Sequence, residues 1–214
     1  MHLELEEYIL DHIDEEGEHL YRLWRETNKH LLYGRMASGH LQGRLLKMLV
    51  RMIKPKRVLE IGAFTGYSAI SMAQGLDADG RLWTFDTDDE LEDFTRHWIE
   101  TSEVAEKIEF RIGDALTEAP KLGINFDLIF IDGNKRLYPE YYDMSVGMLN
   151  EGGYIIADNT LWDGHVVEAD HMSDRQTQGI MEFNDRVAHD DRVEKVILPL
   201  RDGLSIIRLC KEKD

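Results

Sequence analysis

Apolar positions along this chain fall into two regimes. Up to about residue 53 they recur at helical spacing among charged neighbours: residues 3 to 32 read as helix interrupted near Gly17, and a second helix runs from about Ala37 to Ile53. That helix should stop before Lys54-Pro55, because a proline disfavours helical backbone in the residue ahead of it. Beyond it, short apolar runs alternate with helical stretches, at Arg57 to Ile61, Leu82 to Phe85, Ile108 to Ile112, Phe126 to Ile131 and Tyr154 to Ala157. Such alternation is the mark of βαβ units. The runs LIFI and YIIA have no polar residue at every second place, as befits strands covered on both faces, and this predicts a mostly parallel sheet. The tail differs: VEKVILPL and LSIIRLC meet across Arg201-Asp202-Gly203, a hairpin signal that adds antiparallel strands. The expected fold is α/β, a doubly wound, mostly parallel sheet of seven strands ending in a C-terminal hairpin. Residues 1–53 would form a helical cap on a core of 54–214.

Composition narrows the class. With 214 residues and 43% apolar content the chain suits one well-buried domain, and it shows no repeat, low-complexity tract or linker. The balance of 25 basic against 42 acidic residues, net −17, works against a phosphate backbone as partner. Cys210 is the only cysteine, so no intrachain disulfide forms; it reads as a small apolar group in LSIIRLC, and the expected compartment is the reducing cytoplasm. The first twenty residues hold eight Asp or Glu and no Lys or Arg, which is not the pattern of a signal or transit peptide. No apolar run approaches the roughly 20 residues of a membrane span, so no membrane partner is expected.

The chemistry gathers where strands end, since ligands of such sheets collect outside the carboxyl ends of the strands. Asp132 closes FDLIFID, and Asp158-Asn159 closes YIIAD. Two carboxylates and an amide oxygen are hard donors suited to Mg²⁺, with Mn²⁺ or Ca²⁺ as alternatives. Lys135 follows three residues after Asp132. Upstream, Glu60-Ile61-Gly62-Ala63-Phe64-Thr65-Gly66 makes a glycine turn leading into a helix near Tyr67-Ser68. Its spacing is G-x-x-x-G; the middle glycine of G-x-G-x-x-G is missing, which disfavours a nicotinamide or flavin cofactor. Asp86 ends LWTFD twenty residues past Gly66, where a carboxylate can accept from both ribose hydroxyls. Asp114-Ala115 ends the next strand, within reach of an adenine amino group. Each residue also has an ordinary reading. Asp132 and Asp114 could be turn residues, Asp158-Asn159 a capping pair, and Lys135 a solvated charge. Taken together, their placement favours a site.

The segments Arg35-Met36-Ala37-Ser38, VLEIGAFTGYSA, FIDGNKRLYPEYY, GGYIIADNTLWDGHVV and LPLRDGLSIIR, which span most of the chain, resemble the cation-dependent O-methyltransferases that act on catechols and on caffeoyl-coenzyme A. The resemblance implies a Rossmann-like fold and S-adenosylmethionine as methyl donor. It places Glu60, Gly62 and Ser68 at the donor's methionine part, Asp86 at its ribose, and Asp114 and Ala115 at its adenine. Met36 and Ser38 would cover the methionine end and the reactive centre, and Asp132 would border the donor as well as the cation. The bare chemistry agrees. A phenol is protonated at pH 7 and a poor nucleophile, so a cation on Asp132, Asp158 and Asn159 with Lys135 as general base would prepare the acceptor oxygen.

Departures shape the expected acceptor. Gly133-Asn134 replaces residues usual in plant members, and residues 166–179, the variable loop over the acceptor, carry Arg175 as their only fixed positive charge. A coenzyme A thioester is therefore disfavoured against a small catechol-like or vicinal-diol molecule. Two rivals stay open: methylation of hydroxylated uridine in transfer RNA, through a groove of Arg22, Arg25, Lys29, Arg35 and Arg44 built by a dimer, and a non-catalytic donor-binding relative. The resemblance further implies a homodimer, with the N-terminal helices as a contact. His40 and His165 read as structural or substrate-facing, and Trp162 and Tyr138 as packing residues.

Overall fold

The central strands form where apolar side chains run without interruption. In the computed structural model, which describes residues 3–210, the order is α1 (Leu3–Asp11), α2 (Glu18–His30), α3 (Gly39–Ile53), β1 (Arg57–Ile61), α4 (Tyr67–Ala73), β2 (Arg81–Asp86), α5 (Glu92–Glu100) and β3 (Ile108–Ile112). It continues with α6 (Ala115–Glu118), β4 (Phe126–Ile131), α7 (Tyr138–Met148), β5 (Leu149–Asp158), α8 (Arg175–His189), β6 (Val193–Leu198) and β7 (Leu204–Leu209). The seven strands stand in the order β3-β2-β1-β4-β5-β7-β6, a mostly parallel sheet whose β5-β7-β6 end is antiparallel. This is the doubly wound fold that the sequence predicts. Among the described residues no helix is long and apolar enough to cross a membrane.

Two compact units make up the chain. One comprises residues up to 56 together with 63–112. Within it β2 and β3 pair in parallel from Leu82 with Ile108 to Asp86 with Ile112. Its α3 packs on α4 closely enough that a Cβ on Gly43 would lie 2.8 Å from both the Ser71 hydroxyl and the Tyr67 ring. The Tyr67 hydroxyl donates to the Glu16 carboxylate, tying α4 to the stretch between α1 and α2. α3 ends at Ile53, and Lys54, left-handed at φ 55, follows it immediately ahead of Pro55.

The other unit comprises residues 57–62 and those from 113 onward. Here β1, β4 and β5 run parallel, with Leu59 opposite Ile129 and Ile129 opposite Ile155. Val58, Leu59, Leu128 to Ile131 and Ile155 to Ala157 are all buried. Burying a side chain of this size contributes about 1.5–3 kcal/mol, so this block dominates the unit's stability. β7 returns antiparallel beside β5, pairing Ile155 with Ile207 and Asp158 with Leu204. β6 forms the edge and carries Glu194 and Lys195, charges that discourage pairing with another chain. α7 and α8 pack together through Phe183, whose ring meets Tyr138 and Tyr142 edge-on at 5.5 and 5.8 Å between centroids. Two elements differ from the sequence reading. β5 begins five residues earlier than Tyr154, through a polar Leu149-Asn150-Glu151 start, and α8 takes over part of the 166–179 segment because Asp174 caps it by accepting from the Thr177 amide at 2.8 Å.

Candidate active site

Strand geometry brings the residues at the ends of β4 and β5 together. Asp132 follows β4 directly, and its amide donates to the Ile61 carbonyl at 2.8 Å, extending the β1–β4 ladder by one residue. Asp158 is the last residue of β5 and only 4% exposed. Asn159 then turns left-handed, φ 57, a conformation that Asn tolerates better than most residues. Its Nδ2 donates to Asp202 Oδ1 at 2.7 Å, so Oδ1 is the amide atom left to face a ligand.

Lys135 sits on a 3-10 turn, Lys135–Leu137, whose start is capped by the Asn134 side chain accepting from the Arg136 amide at 3.2 Å. Its ammonium donates to Asp132 Oδ1 at 2.8 Å and to the Tyr138 hydroxyl at 2.9 Å. The side chain is 11% exposed, which sets aside the reading of a solvated surface charge. The Tyr138 hydroxyl in turn donates to the Asp158 carbonyl at 3.0 Å, bridging the lysine to the end of β5. Burial first, then the Asp132, Asp158 and Asp202 carboxylates, hold the Tyr138 phenol well above its ordinary range and therefore neutral. Burial likewise raises the Asp132 carboxyl above the usual carboxylate range, against the pull of the Lys135 ammonium.

The Asp132, Asp158 and Asp202 carboxylates all act on the Tyr138 phenol, and Lys135 and Arg201 offset part of that charge at Asp132. The donors are all oxygen and lie at two neighbouring strand ends, and the outer contact from Asp202 orients the amide. Such outer contacts are what metal ligands require to hold their direction. The residues present thus fit a hard divalent ion.

The remaining predicted residues divide between the two units. Beside the cluster just described, Glu60 is fully buried in β1, and Gly62 adopts φ +99. A Cβ there would lie 2.3 Å from the Asp132 carbonyl oxygen, so only glycine lets the β1 turn lie against the residue that follows β4. Asp114 caps α6, Oδ1 accepting from the Leu116 amide at 3.0 Å, and Ala115 is buried behind it. The ordinary capping role of Asp114 is therefore present, with its second oxygen not used for it. In the other unit, Asp86 ends β2 and accepts from the Phe64 amide at 2.6 Å and the Asp88 amide at 3.0 Å, one on each carboxylate oxygen. Gly66, left-handed at φ 85, opens α4, and Ser68 is buried in that helix's first turn. Met36 is exposed on a short 3-10 turn, Gly34–Met36, and Ser38 is buried immediately ahead of α3. His40 meets the Asp14 carbonyl at 2.7 Å, a structural contact.

Two participants escape the sequence reading. Tyr138 packs as expected, but its hydroxyl also positions Lys135; its spacing three residues along a helical turn was the available signal. Asp202 reaches Asn159 only because the β6–β7 hairpin folds back, with the Leu161 and Trp162 amides donating to its carbonyl at 2.8 and 3.0 Å. Nothing local in Arg201-Asp202-Gly203 announces that.

Comparison with known proteins gives the family. The sequence profile of a family described as O-methyltransferase matches residues 11–211. Tricin synthase 1 of Oryza sativa subsp. japonica is 33% identical over 220 residues, covering 95% of this chain and 87% of the relative. Caffeoyl-CoA O-methyltransferase 1 of Zea mays is 35% identical over 222 residues, covering 97% and 85%. Among solved structures, the O-methyltransferase TomG of Streptomyces achromogenes, involved in tomaymycin synthesis and in complex with S-adenosylmethionine, superposes with a TM-score of 0.89 at 28% identity over 97% of this chain and 96% of TomG. The Bacillus cereus O-methyltransferase in complex with S-adenosylhomocysteine superposes at 0.89 with 27% identity, over 96% of each chain.

Proposed function

The chain belongs to the O-methyltransferase family and is an S-adenosylmethionine-dependent enzyme; from that premise we propose that it methylates one hydroxyl of a small catechol-like or vicinal-diol acceptor with the help of a divalent cation. The observation that carries this reading is the cluster of Asp132, Asp158 and Asn159 at two strand ends with Lys135 held beside it. Asp132, Asp158 and Asn159 would hold the cation, Mg²⁺ first, with Mn²⁺ or Ca²⁺ as alternatives. When bound, that cation supplies Lewis acidity, lowering the pKa of a phenolic hydroxyl and holding its neighbour in register.

Lys135 then takes the phenolic proton on Nζ. The base is the amine form, whose Nζ lone pair accepts the proton, and the ammonium so formed passes it to solvent before the next turnover. Tyr138, neutral and anchored on the Asp158 carbonyl, keeps Nζ in place while its proton changes hands. The acceptor oxygen bonds to the methyl carbon as the carbon–sulfur bond breaks, so positioning carries most of the rate. On the donor side, Asp86 would accept from the ribose hydroxyls and Asp114 from the adenine amino group. Glu60, Gly62, Ser68, Met36 and Ser38 would serve the methionine part, and Asp132 would border both donor and cation.

The relatives named for caffeoyl-CoA make a thioester the competing acceptor. Arg175, the one fixed positive charge of residues 166–179, stands exposed at the start of α8, which favours the smaller acceptor. We also propose a homodimer through the N-terminal helices, supported by exposed Tyr8, Trp24, Leu32, Tyr33 and Met52. The test is donor turnover with caffeic acid, a simple catechol and caffeoyl-CoA in Mg²⁺. Activity on the free catechols that disappears in EDTA and in Asp158→Ala is expected; undiminished turnover in EDTA overturns the cation, and turnover confined to the thioester overturns the acceptor.

A further inference from the structure

A second donor set, of different chemistry, lies between β5 and α8. His165, Glu168 and His171 are spaced three apart, the two histidines on successive 3-10 turns, Trp162–Val167 and Ala169–His171, and Glu168 at the joint between them. The Glu168 amide donates to the His165 carbonyl and the His171 amide to the Glu168 carbonyl, both at 3.1 Å. Each such i to i+3 bond brings side chains three residues apart onto one side. The three ligand-type atoms consequently lie within 4.8 Å of one another. Glu168 Oε2 is 3.5 Å from His171 Nε2 and 3.9 Å from His165 Nε2. A tetrahedral ion with bonds of about 2.0–2.2 Å sets its ligand atoms roughly 3.3–3.6 Å apart, so the two glutamate–histidine separations are within a few tenths of an ångström of what it needs, and the histidine pair lies within 4.8 Å.

We propose that His165, Glu168 and His171 bind a borderline divalent transition ion, Zn²⁺ or one of its neighbours Co²⁺, Ni²⁺ and Cu²⁺. Imidazole nitrogen selects these ions, whereas the all-oxygen set of Asp132, Asp158 and Asn159 selects Mg²⁺, Mn²⁺ or Ca²⁺. The two histidine rings are stacked, 3.7 Å between centroids and 2° from parallel. Binding one ion turns at least one ring about χ2, a torsion with a broad well, so the stack opens at little cost. A surface hollow of about 400 Å³ lined by Glu168, Ala169, Asp170 and His171 admits a hydrated ion and leaves room for water in its remaining position. The bound ion staples the two 3-10 turns into a closed loop immediately ahead of α8. The site does not depend on the methyl-transfer reading.

The experiment uses the full chain, stripped with chelator and titrated with Zn²⁺ against a chromophoric competitor. Wild type, Asp158→Ala and the double variant His165→Gln/His171→Gln are compared, with thermal melting as a fold check. Wild type and Asp158→Ala should bind alike, and the double variant should bind at least about tenfold more weakly, since even outer contacts of a metal site are worth 10–100-fold. Co²⁺ should give visible d–d absorption in the first two proteins and lose it in the third. If the double variant does not fold, Glu168→Gln must show the same weakening. Zn²⁺ uptake unchanged in the folded histidine or glutamate variants, uptake lost in Asp158→Ala, or no uptake by wild type overturns the proposal.

Discussion

At Lys135 an ammonium faces a carboxylate on one side and a phenol on the other, so it is not a free surface charge. Removing the Tyr138 hydroxyl takes one hydrogen-bond partner from Lys135 and one hydrogen bond from the Asp158 carbonyl. Tyr138→Phe is therefore expected to lower kcat about tenfold or more with little change in the KM of the methyl donor, and to cost about 1–2 kcal/mol in urea unfolding. A kcat equal to wild type would show that Lys135 needs no such support. Asp132 and Asp158 stand out in the sequence because a polar residue closing an apolar run is a local signal, and Lys135 through its place three residues after Asp132. The hydroxyl of Tyr138 does not, because a tyrosine inside an apolar pattern looks like packing until its partners are known.

Among the elements, α8 sets the placement of the lysine turn. A Cβ on Gly179 would lie 2.3 Å from the Lys135 carbonyl oxygen and 2.8 Å from the Arg136 Cα, both backbone atoms that cannot step aside. Gly179→Ala should push the turn outward, losing about 1–3 kcal/mol of stability and about tenfold in kcat, as assayed by unfolding and by turnover on one sample. The far end of α8 is held by Asp190, which accepts from the Tyr142 hydroxyl of α7 at 2.8 Å and from Arg192 Nε at 2.9 Å. Hydrogen bonds from Arg192 above all hold its carboxyl well below the usual range. A depressed carboxyl contributes stability above its unfolded pKa, near 3.9, and loses it as pH falls through that value toward the folded one. Asp190→Asn should therefore cost about 1–2 kcal/mol at pH 7, allowing for the exposed Arg192, and progressively less below about pH 4. A pH-independent difference in urea midpoints would contradict this. The strands were readable from apolar runs, whereas the start of α8 was not: ADHMSDRQTQ has no apolar period, and the Asp174 cap decides it.

For the whole molecule, charge separates the acceptor classes. Net −17 opposes RNA, and two residues of the suggested basic groove are already engaged: Arg22 pairs with Glu18 at 2.6 Å and Lys29 with Glu26 at 3.2 Å, all on α2. No transfer RNA gel shift is expected at about 0.15 M salt; a salt-sensitive shift there would reopen the macromolecular acceptor. The family and the strand-end carboxylates were determined by sequence alone, because both are written in short contiguous segments where period, turn chemistry and polar residues coincide. Only tertiary structure decided that Asp202, 43 residues from Asn159, aligns its amide, that Tyr138 spans from Lys135 to the end of β5, and that Gly62 is compelled by the backbone of Asp132. The reason is physical: these depend on which distant atoms a hairpin and two neighbouring strands bring within hydrogen-bonding or van der Waals range, and separation along the chain carries no trace of that.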